Sequence, residues 1–143
     1  KAAIEKILKL DVIPIINEND VVATDEIKFG DNDTLAAMVA NLVGADLMII
    51  LTDQNGFFDK NPDLNKDAVL IKKCNIAEIE VSDYDSNSKS KFGTGGFTTK
   101  IKAVKVAAKS GTTSIVASGY TKDVLKKIFD GEEIGTIFLP NEK

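Results

Sequence analysis

Short apolar runs alternate along this chain with stretches in which apolar residues recur at helical spacing, and this alternation constrains the fold more than any other feature. Each run has the length and flanking polar residues of a strand buried on both faces. The predicted strands are Val12–Ile16, Leu47–Leu51, Ser114–Ala117 and Thr136–Leu139, with a further short strand at Val69–Ile71. The predicted helices are Ala2–Leu10, Thr98–Lys109, Val124–Phe129 and one between Asp31 and Gly44. Because strands that alternate with helices form parallel sheets covered on both faces, we predict an α/β protein, a three-layer αβα sandwich with a mostly parallel sheet.

The helix between Asp31 and Gly44 has the clearest boundaries. Gly30 breaks the preceding segment, Asp31 suits the N-cap position and Gly44 ends the helix. Its large apolar residues form one stripe, which we expect to face the core: Leu35, Met38, Val39 and Leu42. With the strand on either side, this helix makes a βαβ unit.

Composition narrows the function classes. The chain has 143 residues, 43% of them hydrophobic, which is enough for the core of one domain. Eighteen basic residues against 22 acidic ones give a net charge of −4 without a dense basic tract, which argues against a nucleic-acid surface. Histidine is absent, which excludes histidine metal sites, histidine general bases and hydrolase triads. Chemistry here must use carboxylates, amides, hydroxyls and lysines.

The single cysteine, Cys74, cannot form an intramolecular disulfide, and we expect it to be a small buried or half-buried residue. The sequence shows no signal peptide and no apolar run long enough to span a bilayer. We therefore expect a cytoplasmic protein with no membrane partner.

A glycine-rich turn precedes the predicted helix at Thr98–Lys109. Gly93, Gly95 and Gly96 allow the backbone to approach a ligand closely, and the helix that follows points free N–H groups at an anion. Lys100 adds a positive charge. A plainer interpretation stays open, in which the turn is a flexible loop, Thr98 an N-cap and Lys100 a solvated lysine.

Polar residues follow two of the predicted strands directly. Asn17, Asn19 and Asp20 come after the first, and Thr52 and Asp53 come after the second. Ligands of open α/β sheets bind beyond the carboxyl ends of strands, so we expect these loops to converge with the glycine-rich turn. Each loop could equally be an ordinary turn, since asparagine, aspartate and threonine favour turns.

Asp31 and Asp33 place two carboxylates at one helix start, with Asn32 between them. Capping accounts for one of them; the other could position lysines or a metal, or hold a substrate ammonium group. Neither the P-loop pattern nor a dinucleotide-binding glycine pattern after a strand is present, so an ordinary P-loop or Rossmann enzyme is not predicted.

Taken in order, four motifs resemble those of the glutamate 5-kinases, a branch of the amino acid kinase superfamily. They are Ile13-Pro14-Ile15-Ile16-Asn17-Glu18-Asn19-Asp20, Phe29-Gly30-Asp31-Asn32-Asp33-Thr34-Leu35, Leu51-Thr52-Asp53-Gln54-Asn55-Gly56 and Gly93-Thr94-Gly95-Gly96-Phe97-Thr98-Thr99-Lys100. The Thr-Asp-x-x-Gly element is widespread in that superfamily, whereas Asn-Glu-Asn-Asp together with Gly-Asp-Asn-Asp is typical of this branch.

The resemblance implies phosphorylation of the side-chain carboxylate of L-glutamate by ATP with Mg²⁺, the step that begins proline biosynthesis. It implies that glutamate is bound by Asn17, Asp20 and Asn32. It implies that ATP is bound by Thr52, Asp53, Thr94, Gly95, Gly96, Phe97, Thr98, Thr99 and Lys100. Lys100 would act at the transferring phosphoryl group, with Asp33 orienting lysines around it. Magnesium in such sites is held largely by phosphates and water, so no protein ligand for it is predicted.

The resemblance also implies that residues 1–143 are the C-terminal, nucleotide-binding part of an amino acid kinase domain, with no second domain. We expect the complete enzyme to be a homo-oligomer and the isolated chain to be inactive, because a second active-site lysine of the family would precede Lys1. Two alternatives stay open: a sister kinase acting on acetylglutamate, aspartate or uridylate, and a catalytically silent nucleotide-binding domain.

Overall fold

Four strands form one mixed sheet in the computed structural model, which describes residues 1–17, 32–79 and 97–141. The strands are β1 (Leu47–Thr52), β2 (Lys73–Asn75), β3 (Thr113–Ser118) and β4 (Thr136–Leu139), arranged in the order β1-β3-β4-β2. β1 pairs with β3 and β2 with β4 in parallel, whereas β3 and β4 are antiparallel. Two of the three pairings are therefore parallel, as predicted.

Helices cover both faces of this sheet. The described helices are α1 (Ala2–Leu8), α2 (Asn32–Val43), α3 (Thr98–Ala108) and α4 (Val124–Phe129), with a 3₁₀ turn at Ile76–Glu78. On one face, Ile50, Val116 and Phe138 belong to the larger core cluster, together with residues of α2 and α3. On the other face, Ala117 packs with Val124 and Ile128 of α4. The predicted three-layer αβα arrangement is confirmed.

α2 ends as its sequence predicts. Gly44 takes a positive φ of 65°, and the Ala45 N–H donates to the Ala40 carbonyl at 2.9 Å, which is the hydrogen bond of a Schellman motif. This turn redirects the chain into β1.

The most buried face of α2 differs from the predicted stripe. Ala37 and Ala40 are its buried residues, whereas Met38 and Leu42 are among the exposed large hydrophobic residues. The reason is that α2 packs against α3, whose contact side is also rich in alanine, and small side chains allow the close approach.

The prediction of a buried strand at Val12–Ile16 is wrong for this structure. These residues form no strand, and Ile13 and Ile15 are 86% and 96% exposed. Strand formation needs a partner as well as β-branched residues, and none of the described strands pairs with this segment.

Val69–Ile71 is also not a strand, because its residues bond to the loop after β1 through a single bridge between Phe58 and Leu70. The short strand follows at Lys73–Asn75 instead, where two of the three residues are polar and give no apolar run. Cys74 in this strand is half-buried, as expected. Residues 21–28 and the serine-rich interval at 82–91 also lie outside the described residues.

Candidate active site

The carboxyl ends of β1 and β3 lie side by side because the two strands are parallel and in register up to the pair Thr52 and Ser118. The Gly119 N–H donates to the Thr52 carbonyl at 2.8 Å, which continues the pairing into the loops. The Ser118 hydroxyl in turn accepts a hydrogen bond from the Tyr120 N–H at 3.3 Å. The loops after the two strands are therefore tied together at one edge of the sheet, called here the carboxyl edge.

The N-termini of α2 and α3 point toward the same carboxyl edge. Each helix leads through a short connection into a strand of the parallel pair, so each runs back along the sheet against its strand. At the opposite edge the two connections meet: the Thr112 hydroxyl donates to the Ala45 carbonyl at 2.7 Å, and the Thr113 N–H donates to the Asp46 carbonyl at 3.1 Å. Two positive helix ends thus lie beside the ends of β1 and β3.

α2 and α3 run parallel to each other. Near their C-terminal ends, the Asn41 side-chain amide donates to the Val106 carbonyl at 2.8 Å, and the Ser110 hydroxyl donates to the Asn41 side-chain oxygen. Near their N-terminal ends, Lys100 of α3 reaches Asp33 of α2. Contacts near both ends of the helix pair therefore fix the distance between the N-termini of α2 and α3.

The ion pair between Asp33 and Lys100 is the most distinctive charged feature of this edge. Lys100 Nζ lies 3.0 Å from Asp33 Oδ2, and the two side chains are only 21% and 18% exposed for Asp33 and Lys100, respectively. A half-buried pair is screened less by salt and water than a surface pair. Lys100 lies in the first turn of α3, where the helix dipole disfavours a cation, and the Asp33 carboxylate offsets that effect.

Such a pair suits an anionic ligand. An ammonium group has three N–H donors, and the bond to Asp33 occupies one of them, so Lys100 retains donors for a second anion. The N-terminal N–H groups of an α-helix and its positive dipole end favour the same kind of ligand. The carboxyl edge can therefore hold a phosphate group next to an oriented lysine.

Buried aromatic rings connect α3 to the loop after β1. The ring of Phe97, the N-cap residue of α3, stacks on Phe57 with centroids 5.3 Å apart and planes 26° apart. Phe57 also contacts Phe138 of β4, with centroids 5.8 Å apart. Sequence reasoning missed Phe57. The sequence shows an aromatic residue directly after the Thr52–Gly56 loop, but it does not show that this residue contacts Phe97, 40 residues further along the chain.

The predicted ATP-binding residues that the structure describes lie on two elements. Thr52 is the last residue of β1 and Asp53 follows it, and the Thr52 hydroxyl donates to Asp53 Oδ1 at 3.1 Å. Thr98, Thr99 and Lys100 form the first turn of α3. Phe97 itself is part of the core, at 5% exposure. Thr94, Gly95 and Gly96 lie outside the described residues.

The predicted glutamate-binding residues Asn17 and Asn32 are both exposed. Asn32 begins α2 directly before Asp33, and it lines a groove of about 460 Å³ that Ile16, the neighbour of Asn17, lines as well. The groove runs along α2 from Asn32 to Val43, so Pro14 and Ile16 lie beside this helix. The third predicted residue, Asp20, lies outside the described residues.

In the described ranges, no group of three or more histidine, cysteine, aspartate or glutamate side chains could hold a metal ion. In the same part of the chain, no helix has the length and apolar content that crossing a membrane requires.

The fold is an α/β domain with an aspartate–lysine pair and two helix N-termini at the carboxyl ends of parallel strands, the place where such sheets bind ligands. Comparison with protein families gives the particular class: the model described as "Amino acid kinase family" matches residues 1–118. The chain belongs to the amino acid kinase family.

Curated relatives of this chain are named glutamate 5-kinase. The Methylococcus capsulatus protein is 50% identical over 141 residues, covering 99% of this chain and 38% of that protein. The Hahella chejuensis protein is 46% identical over 143 residues, covering 100% of this chain and 37% of that protein. The Clostridium acetobutylicum protein is 46% identical over 132 residues, covering 92% of this chain and 49% of that protein. The chain spans less than half of the length of these relatives.

Solved structures with the same fold include two kinases. A UMP kinase from Bacillus anthracis superposes with a TM-score of 0.61 at 18% identity, covering 80% of this chain and 42% of that one. An isopentenyl phosphate kinase from T. acidophilum, in a product complex, superposes with a TM-score of 0.54 at 23% identity. The superposition covers 74% of this chain and 38% of that one. At these identities the similarity establishes the fold, and the predicted amino acid kinase fold is confirmed.

Proposed function

We propose that this chain is part of a glutamate 5-kinase, which transfers the γ-phosphoryl group of ATP to the side-chain carboxylate of L-glutamate. The observation that carries this proposal is the 46–50% identity to proteins named glutamate 5-kinase over at least 92% of the chain. The product would be L-glutamyl 5-phosphate, an acyl phosphate, which places the reaction at the first step of proline biosynthesis.

The carboxyl edge supports this chemistry. A carboxylate is already ionised at neutral pH and needs no general base, so the barrier lies in bringing two anions together in line. Lys100, held by Asp33 at the start of α3, offers a positive charge where negative charge develops on the phosphoryl group. In this proposal Lys100 is the catalytic cation and Asp33 orients it.

ATP would occupy the carboxyl edge between the end of β1 and the start of α3. We assign its binding to Thr52 at the end of β1, to Asp53 directly after it, and to the segment 94–100, which contains Gly95, Gly96 and the first turn of α3. Magnesium would arrive with the nucleotide and neutralise phosphate charge. No group of three or more acidic side chains in the described ranges could hold a metal ion, which suits a magnesium ion held mainly by phosphates and water.

Glutamate would lie between the segment that ends at Asn17 and the start of α2. Asn17 and Asn32 offer amides for its carboxylates, and Asp20 offers a charge for its ammonium group. We further propose a cytoplasmic homo-oligomer as the working form, and residues 1–143 as the nucleotide-binding part of the kinase domain.

The test is glutamate-dependent ADP release with Mg-ATP. It compares the 143-residue chain with a polypeptide extended to the full length of the glutamate 5-kinase relatives. Activity in the extended protein with glutamate, and none with N-acetylglutamate, aspartate or UMP, is the expected result. Activity with one of those three substrates in place of glutamate would make the protein a sister kinase. Nucleotide binding without turnover of any of the four would make it a silent binding domain.

A further inference from the structure

The start of α3 is held by a buried aromatic ring. The N-cap residue Phe97 makes no side-chain hydrogen bond to the helix, so the usual capping bond is missing. Its ring is instead 5% exposed and stacked on Phe57. An offset aromatic pair contributes stability beyond the area it buries and has a preferred geometry, so this contact fixes where the helix begins.

Phe57 is itself held rigidly. Its side chain is 1% exposed, and its backbone N–H donates to the buried Thr136 hydroxyl at 2.9 Å. Its ring also contacts Phe138 in the sheet. The ring of Phe57 is therefore a fixed surface at the end of the Thr52–Gly56 loop, and Phe97 rests on it.

Lys100 follows Phe97 by one helical turn, so a shift of the helix start moves the Lys100 ammonium group. The pair with Asp33 anchors Lys100 to α2, whereas the stack anchors the same turn to the loop after β1. We propose that Phe57 and Phe97 are positioning residues, which align Lys100 with the nucleotide bound at the end of β1. This inference rests on the function proposed above.

The experiment uses the full-length protein that contains this chain. Phe57→Leu and Phe97→Leu keep an apolar side chain but remove the ring, and Phe57→Met provides a second variant if Phe57→Leu folds poorly. We expect kcat to fall about 10- to 100-fold, the scale of a misplacement of about 1 Å, while KM for glutamate stays near the original value. Ile128→Ala in the other core cluster is the control for a general loss of stability.

The decisive readout is the combination with Lys100→Ala. If the aromatic pair acts through Lys100, Phe57→Leu causes no further loss of kcat once Lys100 is removed. Losses that multiply, or an equal fall of kcat in an equally destabilised Ile128→Ala, would overturn the proposal and leave the stack a purely structural contact.

A separate measurement distinguishes failure of this inference from failure of the proposed function. If the full-length protein releases no ADP with glutamate, the proposed function is wrong. The coupling between Asp33 and Lys100 is then measured by a double-mutant cycle of Asp33→Asn and Lys100→Gln in urea unfolding, with and without Phe57→Leu. A coupling that falls when the ring is removed supports positioning of Lys100, and an unchanged coupling contradicts it.

Discussion

Thr136 joins three segments that are far apart in the sequence. Its hydroxyl accepts a hydrogen bond from the Phe57 N–H at 2.9 Å and donates to the Ile71 carbonyl, and the residue is fully buried. The Thr136 hydroxyl oxygen therefore joins the loop after β1 and the segment before β2 to the start of β4. The position of Phe57, and with it the start of α3, follows from this bond.

Thr136→Val keeps the shape of the side chain but removes this oxygen. We expect the free energy of unfolding to fall by about 1–3 kcal/mol, because the buried Phe57 N–H and the partly buried Ile71 carbonyl lose this hydrogen bond. Urea unfolding measures the change. Ser114→Ala is the control, since the equally buried Ser114 hydroxyl has no partner in the described part of the chain, and its removal should be neutral or stabilising. Equal losses in the two variants would contradict this account.

Cys74 provides a pH-dependent test. Burial raises the pKa of its thiol above the ordinary value, and the Glu78 carboxylate raises that pKa further. At about pH 8 we expect iodoacetamide to alkylate the folded chain more slowly than the urea-unfolded chain, because the thiolate is the reactive form. Glu78→Gln should speed alkylation of the folded chain. Equal rates for the folded and unfolded chains would rule out the raised pKa.

The same shift makes stability depend on pH. The folded state holds the thiol proton more tightly than the unfolded state does, so the stabilising contribution is complete below the ordinary thiol pKa. It is lost as pH rises through the pKa of the folded state, because the unfolded chain releases its proton first. Stability should therefore fall over this alkaline range, and less so in Cys74→Ser.

At the level of elements, β4 can approach β3 only because residue 135 is glycine. Gly135 has a φ of 71°, and a Cβ atom there would lie 2.1 Å from the Val116 carbonyl oxygen and 2.9 Å from Ala117 Cα. Both neighbours belong to the backbone of β3, which cannot move without disturbing its pairing with β1.

Gly135→Ala should therefore lower the free energy of unfolding by about 4 kcal/mol or more, the range in which a single change disrupts a core. Gly131→Ala is a matched control, because Gly131 has a φ of 85° but nothing within 4 Å of the added Cβ. That change should cost about 1–2 kcal/mol for the left-handed backbone alone. Similar Tm values for the two variants would show that β3 and β4 are not packed as described.

The contact between α2 and α3 is a second test at this level. Ala37 is fully buried in α2, where the close approach of α3 leaves no room for a larger side chain. Ala37→Leu should cost about 1–3 kcal/mol through overpacking. Ala36→Leu makes the same change at an exposed position of the same helix and should stay within about 0.5 kcal/mol. Thermal unfolding of both variants measures the difference. An Ala37→Leu variant as stable as Ala36→Leu would contradict the close packing of α2 and α3.

The sequence predicted the elements better than their contacts. Helical spacing was enough to locate α2, but the buried face was misjudged because Met38 and Leu42 are more hydrophobic than the alanines that α3 covers. Apolar composition likewise predicted a strand at Val12–Ile16, although pairing depends on a neighbour that the segment itself does not encode. Residues distant in the chain, such as Phe57 and Phe97, meet only through the complete topology.

More of the candidate site than of the core could be predicted from the sequence. Parallel topology places the loops after strands at one edge, so the approach of Thr52 and Asp53 to the start of α3 follows from the order of elements. The 3.0 Å contact between Asp33 and Lys100 could not be predicted from the order of elements, since the sequence does not show which sides of α2 and α3 face each other.

At the scale of the whole chain, the net charge is −4. An acidic chain repels anionic ligands at long range, so the proposed binding of ATP beside glutamate would need a local concentration of positive potential, which the carboxyl edge offers. Two helix N-termini and one half-buried lysine supply it. Because Asp33 holds Lys100 in place, the cost of ordering that side chain is met during folding and not when the nucleotide binds.

Lys100→Ala in the full-length protein tests this view directly. Loss of one well-placed donor costs about 2.7–4 kcal/mol of transition-state stabilisation, so kcat should fall about 10²- to 10³-fold. Tm should also fall, because Asp33 loses its partner, but the variant should stay folded at the assay temperature. Lys102→Ala is the matched control, an exposed lysine two residues further along α3, and should leave kcat near the original value. Steady-state ADP release measures kcat and calorimetry measures Tm. If Lys100→Ala and Lys102→Ala lowered kcat equally, the effect would reflect net charge, and the ion pair with Asp33 would have no special role in phosphoryl transfer.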